Sequence, residues 1–381
     1  MMCKETRSGS LSSVSATTKK CTGNYSLLFK RYPTPYTLHP PMFRLDRLTT
    51  LYLFHPLKRI IPRPNGIRIP ILMYHSISDE PETGHPYYWI NTSPARFGEH
   101  MKFLQENNYT VISLSQAVEI IQSQGSNRPQ SGSSFSNVAR FHGSQDRSSH
   151  PSSIRTLQYC RTAEVEHPAP CTLCPDKLAV LTFDDGYDDF YTYAFPILKE
   201  YNYTATVFLP TSFIGNSKPG LIGKKHMDWD KVRELQRNGI NFGSHTVTHK
   251  QMWKIQDSIV FNELRGSKGT IEEKTGEPVE AFCYPYWFPE HDKTFVGRMK
   301  DLLDKTGYIC GTGTRIGTTH RADERMILKR VPVNSADDLR FLSKKLSGNY
   351  DWVWKIQRPY KVIKAWKMGQ VSNSPRGKKY L

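Results

Sequence analysis

A chain of 381 residues with 38% apolar content and a formal charge of +17 has room for one large domain or two ordinary ones, with some sequence left outside any core. Seven scattered cysteines, an odd number, exclude a disulfide framework, and no apolar run approaches the roughly 20 residues of a membrane-spanning helix. The charge sits at the ends: residues 1–70 and 340–381 each carry +10, which leaves the middle at −3.

Residues 1–66 read as a basic, largely disordered extension, polar and aperiodic to residue 41, then a short helix and a Pro-bounded linker. Ile69 to His75 reads as the first buried strand and ends in a histidine. Ser93-Pro94 starts a helix with Phe97, Met101 and Leu104 on its apolar face. Residues 109–112 form a strand, and a further helix begins at Ser115. Residues 122–176 are rich in Ser, Gln, Arg, His and Pro and read as a low-complexity insertion. Its Cys160, His167, Cys171 and Cys174 lack the second paired half of a zinc ribbon.

Alternation then resumes. Strands at 178–183, 203–209, 240–244, 280–284 and 307–311 alternate with helices at 188–200, 228–238, 257–275 and 292–306. Repeated β-then-α units predict an α/β domain over residues 67–340, with a parallel sheet and outer helices. Closure into a barrel would gather the C-terminal strand ends on one rim. The segment 341–381 interleaves aromatics with Lys and Arg. It suits either an amphipathic helix packed on the barrel or a face for a membrane or glycan.

Chemistry concentrates in two stretches. Thr182-Phe183-Asp184-Asp185-Gly186-Tyr187 places two carboxylates at the end of a buried strand, where charge needs a cation or hydrogen bonds. His245 and His249 lie four apart, on one face if a helix starts there. Two imidazoles and one carboxylate suit a borderline metal with a position left for water, and the second carboxylate is then available as a base. Alone, Asp-Asp-Gly is usually a turn and His-x-x-x-His a helix surface; together, each after an apolar run, they are far more specific.

This pair resembles the first two motifs of the polysaccharide deacetylases, the family 4 carbohydrate esterases with a NodB homology domain. The resemblance runs from about Ile69 to about Val333. It implies an irregular, incomplete (β/α) barrel, with Asp185, His245 and His249 as metal ligands and Asp184 as catalytic base. Phe282-Cys283-Tyr284-Pro285-Tyr286 is similar to the family's Arg-x-Pro-Tyr motif, with Cys283 replacing the Arg and Trp287 where Gly is frequent. By that resemblance the Tyr286 N–H stabilises the oxyanion, and Tyr187, Pro285 and Trp287 are substrate contacts. Cys283 itself reads as a small buried apolar residue, and Arg330 as a structural or supporting residue. The late histidine that most relatives use as general acid is missing. Leu72-Met73-Tyr74-His75 resembles that motif in a branch carrying it first, which implies His75 as the acid.

The resemblance implies removal of acetyl groups from an N-acetylated glycan, with Zn²⁺, or Co²⁺ or Ni²⁺, as cofactor. An O-acetyl esterase and an inactive glycan-binding relative are the alternatives. An acetylated glycan is the expected partner, with contact of the basic ends with an anionic membrane surface and no nucleic acid. No secretory signal is evident, so a cytoplasmic or membrane-peripheral place is the default expectation.

Overall fold

A computed structural model of the chain describes residues 44–60, 66–123, 177–216, 220–287 and 289–367. The extension before residue 44 and the insertion at 124–176, with its cysteines, lie outside the described residues.

Seven strands form the centre: β1 Ile71–Tyr74, β2 Leu178–Phe183, β3 Thr206–Leu209, β4 Asn241–Ser244, β5 Ala281–Cys283, β6 Cys310–Ile316 and β7 Leu328–Pro332. Each pairs in parallel with the next in chain order, and β7 pairs with β1, so the sheet closes on itself. A closed ring has no first or last place. A group at the end of β1 therefore sits beside groups on both β2 and β7.

Alternation along the strands divides the core in two. Ile71, Val180, Phe208, Cys283 and Leu328, drawn from five strands, fall in one buried cluster that fills the barrel. Leu72, Leu181, Val207, Phe282 and Val331 point the other way, into a second cluster shared with the outer helices. β2 is buried at all six positions because both faces are covered, which its unbroken apolar run anticipates.

The outer helices begin where the capping signals lie. In α1, Pro94–Glu106, the Ser93 hydroxyl accepts from Arg96 N–H, and α2, Leu114–Ser123, packs its apolar face into the inner cluster. Asp228 caps α3, Trp229–Arg237, and Asp292 caps α5, Lys293–Lys305. The long α4, Asp257–Thr275, ends at Gly276, whose φ of 77° suits glycine.

Two expectations shift. The strand expected at 307–311 lies at Cys310–Ile316, because Gly307, at φ 77°, closes α5 in a turn. Its Gly-Thr-Gly-Thr run is apolar-poor, yet glycine is needed: a Cβ on Gly311 would lie 2.4 Å from the Met326 carbonyl oxygen. The helix expected at 188–200 keeps that span but shifts in kind, with a π-turn at Phe190–Ala194 running into the α-helix Phe195–Glu200 and Pro196 in the first turn of the latter.

Packed structure is already present at Arg44, ahead of the boundary read at residue 67. The helical stretch 45–60 packs against α6, Leu339–Leu346, and the turn before α7, Val353–Lys367. Tyr350 donates to Asp46, Trp352 donates to Thr50, and Phe54 stacks on Trp352. Below these contacts Asp337 is buried between Lys345 at 2.8 Å and Arg44 at 3.1 Å. Burial alone would raise the Asp337 carboxyl, but the two cations outweigh it and hold it below its ordinary value. A depressed carboxylate contributes stability above its unfolded pKa of about 3.9 and loses it as pH falls through the folded value. Asp337→Ala leaves buried Lys345 without its carboxylate and Arg44 with Asp46 alone, and should cost about 3–5 kcal/mol at pH 7, with a smaller difference from wild type near pH 3. Denaturant unfolding of both proteins at the two pH values measures this.

Candidate active site

The ring brings the sequence candidates to one rim. His75 directly follows β1, Asp184 and Asp185 follow β2, His245 follows β4 and Tyr286 follows β5. Four of the seven described non-glycine residues at positive φ stand here: Asp185 at 72°, Thr246 at 69°, His249 at 54° and Tyr286 at 59°. Such conformations are costly and persist where surrounding contacts enforce them. Gly186, at φ 62°, completes the turn after Asp185, and a Cβ there would lie 2.7 Å from Leu209 Cδ2.

His245 and His249 are not on a helix. They flank a tight loop after β4, and the positive φ of Thr246 and His249 brings the rings together. Glu263 of α4 fixes this loop by accepting from the N–H groups of Val247 and Thr248, both at 2.8 Å, and from the Thr248 hydroxyl.

The Nε2 atoms of His245 and His249 are 3.2 Å apart, and each faces Asp185 Oδ1, at 3.4 and 3.2 Å. Tetrahedral ligands with bonds of about 2.0–2.1 Å to zinc stand about 3.3 Å from one another, so this triangle has the size of one face of a zinc site. His245 donates Nδ1–H to the Cys283 carbonyl at 2.8 Å, which directs its Nε2 toward the triangle. Asp185 Oδ1 is buried without a hydrogen bond. Burial holds His249 below its ordinary pKa, while Cys283 and Asp185 outweigh burial and raise His245, whose proton a bound ion would displace. These donors fit a divalent ion.

Asp184 faces the barrel interior, one position from the triangle. Arg330 of β7 grips it with two bonds, 2.6 and 2.7 Å, and is itself almost fully buried. The guanidinium also donates to the Gly313 carbonyl at 3.1 Å and approaches Cys283 Sγ at 3.2 Å. Burial would raise the Asp184 carboxyl, but Arg330 beside it outweighs this and holds it below the ordinary carboxylate value. Cys283 is buried as expected, yet it is more than an apolar filler. Its carbonyl orients His245 and its sulfur borders the guanidinium.

His75 is partly open to solvent, with Nε2 3.7 Å from Asp184 Oδ2. The segment after it is tied down by Asp189, which accepts from the Ser76 hydroxyl and the Ile77 N–H. Tyr286 is exposed and its ring lies 4.6 Å from that of His249. Pro285 is buried, and Trp287 is half-buried against Trp253. Tyr187 is buried, with its ring 5.1 Å from that of His226. His320 pairs with Arg68 on a separate two-stranded ladder.

Sequence reading missed two supports, Glu263 and the full part of Arg330. The signal for Arg330 is its place in the strand run Leu328 to Pro332, where an inward charge needs a counter-charge. Glu263 leaves no signal, since it lies on a helix with ordinary charge content. Glu263→Ala should lower divalent-ion affinity about 10–100-fold with the fold intact, because the loop loses its anchor. A competition titration with a chromogenic chelator reads that loss.

Residues 174–302 match the family model for polysaccharide deacetylase. The chain is 26% identical over 271 residues to YxkH of Bacillus subtilis, which carries the polysaccharide deacetylase name, covering 70% of this chain and 72% of that one. It is 28% identical over 131 residues to the poly-β-1,6-N-acetyl-D-glucosamine N-deacetylase of Staphylococcus epidermidis, covering 31% of this chain but only 44% of that enzyme. In fold it is similar to the Streptococcus pyogenes deacetylase PplD, solved with acetate: TM-score 0.51, 20% identity, 74% of this chain and 99% of that one. Over residues 174–302 the chain carries the polysaccharide deacetylase pattern, and it is similar to members of that family along most of its length.

Proposed function

We propose that this protein is a divalent-metal-dependent hydrolase that removes acetyl groups from an N-acetylated glycan and releases acetate. One observation carries the reading: a triangle of Asp185, His245 and His249 donors opens beside a second, ionised carboxylate, Asp184. Asp185, His245 and His249 would hold the ion, with zinc the best match to the donor set and cobalt or nickel accommodated. When bound, such an ion supplies Lewis acidity to water and to the acetyl carbonyl.

The remaining work falls to the chain. Asp184 is held ionised by Arg330, so it accepts the proton of the attacking water. Arg330 also fixes both carboxylate oxygens, which leaves the base little freedom to turn away. The Tyr286 N–H donates to the charge that develops on the acetyl oxygen. His75, partly solvated and beside Asp184, donates the proton that the leaving amine needs. Pro285 shapes the turn, and Trp287 flanks the path of the glycan. An O-acetyl ester is a second substrate for the same arrangement, since attack on its carbonyl needs the same groups. The basic ends are proposed to contact an anionic membrane surface.

Acetate release from a panel of N- and O-acetylated oligosaccharides tests the reading. Release from at least one N-acetylated member is expected; none from any member overturns it. His75→Ala refines the assignment. It should retain ion binding, lose most amide turnover and spare an activated aryl acetate, whose leaving group needs no acid. Equal loss on both substrates would remove His75 from the acid role.

A further inference from the structure

The rim carries a groove of about 510 Å³ that the acetyl chemistry does not use. Four aromatic side chains wall it: Tyr87 and Tyr88 from the segment after β1, Trp287 after β5, and Trp352 just ahead of α7. Their places are fixed by other contacts. Trp352 donates to Thr50 at 2.9 Å and stacks on Phe54. Trp253 donates to the Trp287 carbonyl at 3.1 Å, and the two tyrosine rings meet edge-on at 5.0 Å. Tyr88 is nevertheless 73% exposed, and Ile356 of the same lining 61%. Apolar surface grouped in a concavity and held open to water marks a place that a ligand covers.

The lining is balanced in charge. Among the described residues its one carboxylate, Asp46, is held by Arg44 at 2.6 Å, and its one cation, Lys361, by Glu290 at 3.0 Å. An uncharged occupant is therefore favoured over an ion. Hydrogen-bonding capacity is left over beside the rings. Thr314, Gln357 and Lys361 form one polar patch, with Lys361 Nζ 3.3 Å from Thr314 Oγ1 and Gln357 Nε2 3.5 Å from the Thr314 carbonyl. Gln357 Oε1 and Glu290 Oε2, both buried, have no donor among the described residues. A hydrocarbon chain would cover this patch and leave it unpaired, at a cost. A sugar ring matches both parts, since its C–H face lies on an aromatic ring while its hydroxyl edge donates and accepts. Position links the groove to the chemistry. Trp287 directly follows Tyr286, whose ring lies 4.6 Å from that of His249. Thr314 directly follows Gly313, whose carbonyl accepts from the Arg330 that grips Asp184. Of the lining only Trp287 falls within residues 174–302, so the deacetylase pattern does not itself supply this groove.

We propose that the groove is a subsite for uncharged glycan units next to the one being deacetylated, so that the protein selects oligosaccharide chains over single sugars. This rests on the deacetylase reading above and deepens it by naming the substrate class.

Tryptophan fluorescence of the full chain reads binding, with N-acetylglucosamine and its β-1,4- and β-1,6-linked pentamers as probes. At least one pentamer should bind saturably and about tenfold or more tighter than the monosaccharide, the worth of one well-packed contact. The double variant Tyr88→Ala/Gln357→Ala should remove most of that difference. Tyr88→Phe, which keeps the ring, should retain it. Tyr88 is exposed and Gln357 makes only the long bond to Thr314, so both variants should fold, which unfolding midpoints check. In a second arm, acetate release from the binding pentamer should show a KM about tenfold or more below that of the monosaccharide, and the double variant should raise it toward the monosaccharide value. Absent pentamer binding, binding no tighter than that of the monosaccharide, or an advantage that the double variant keeps, overturns the subsite whatever the acetate result. Phospholipid vesicles that bind wild type but not the double variant, with pentamer binding untouched, would give this face to a membrane instead. If no probe yields acetate while the pentamer binds as expected, the deacetylase reading fails and the glycan subsite stands.

Discussion

Asp184→Asn is expected to lower acetate release by about 10²–10⁴-fold, the usual worth of a positioned general base. The amide keeps the size of the carboxylate and one oxygen for Arg330, but it leaves that buried guanidinium without its counter-charge, so stability should also fall and the rate is read on folded protein. Divalent-ion affinity should change little, because the donor triangle uses Asp185 and the two imidazoles. Asp185→Asn is the informative contrast, since it should lose ion and activity together. Rate measurements paired with ion content per protein molecule separate the two adjacent carboxylates. A full rate in Asp184→Asn would assign the base elsewhere.

Arg330→Ala should be the most damaging change in the barrel interior. It leaves the Asp184 carboxylate buried without its counter-charge, which costs about 3–5 kcal/mol of stability. Activity should fall as well, because the base loses both its orientation and the charge that keeps it ionised. The neighbouring sulfur offers a repair. Cys283 Sγ lies 3.2 Å from the guanidinium, on the adjoining interior face of the barrel. In the Arg330→Ala background, Cys283→Arg should therefore return a guanidinium to Asp184 and recover part of both stability and rate. The single variant Cys283→Arg should be destabilised instead, since it forces a second guanidinium into a filled, buried site. Unfolding midpoints and initial rates of the three variants check this. Failure of the double variant to exceed Arg330→Ala would show that Arg330 acts through more than its charge on Asp184.

Much of the architecture was legible because it rests on local signals. β2 is an unbroken apolar run, and Ser93, Asp228 and Asp292 are side-chain caps at the starts of their helices. β6 was misplaced because its burial comes from ring closure and close backbone approach at Gly311, which an apolar pattern does not register. The donor triangle was legible in residue type but not in conformation. A four-residue spacing suggested a helix, whereas positive φ at Thr246 and His249, enforced by Glu263 from α4, makes the loop. Arg330 was underrated for a related reason. Its partner is 146 residues away, and only closure of β7 onto β1, next to β2, brings the two together. Tyr187, read as a substrate contact, is buried against His226 after the turn at Gly186, a packing that its sequence position does not register.

The central claim is that ion and base act together on an acetylated glycan. It is tested most directly by acetate release from N-acetylated oligosaccharides, using protein stripped with a chelator and then reloaded with Zn²⁺, Co²⁺ or Ni²⁺, with Asp185→Ala in parallel. The account predicts no release from stripped protein, recovery on reloading and no recovery in Asp185→Ala. Undiminished release from fully stripped protein, or equal release from Asp185→Ala, would contradict it.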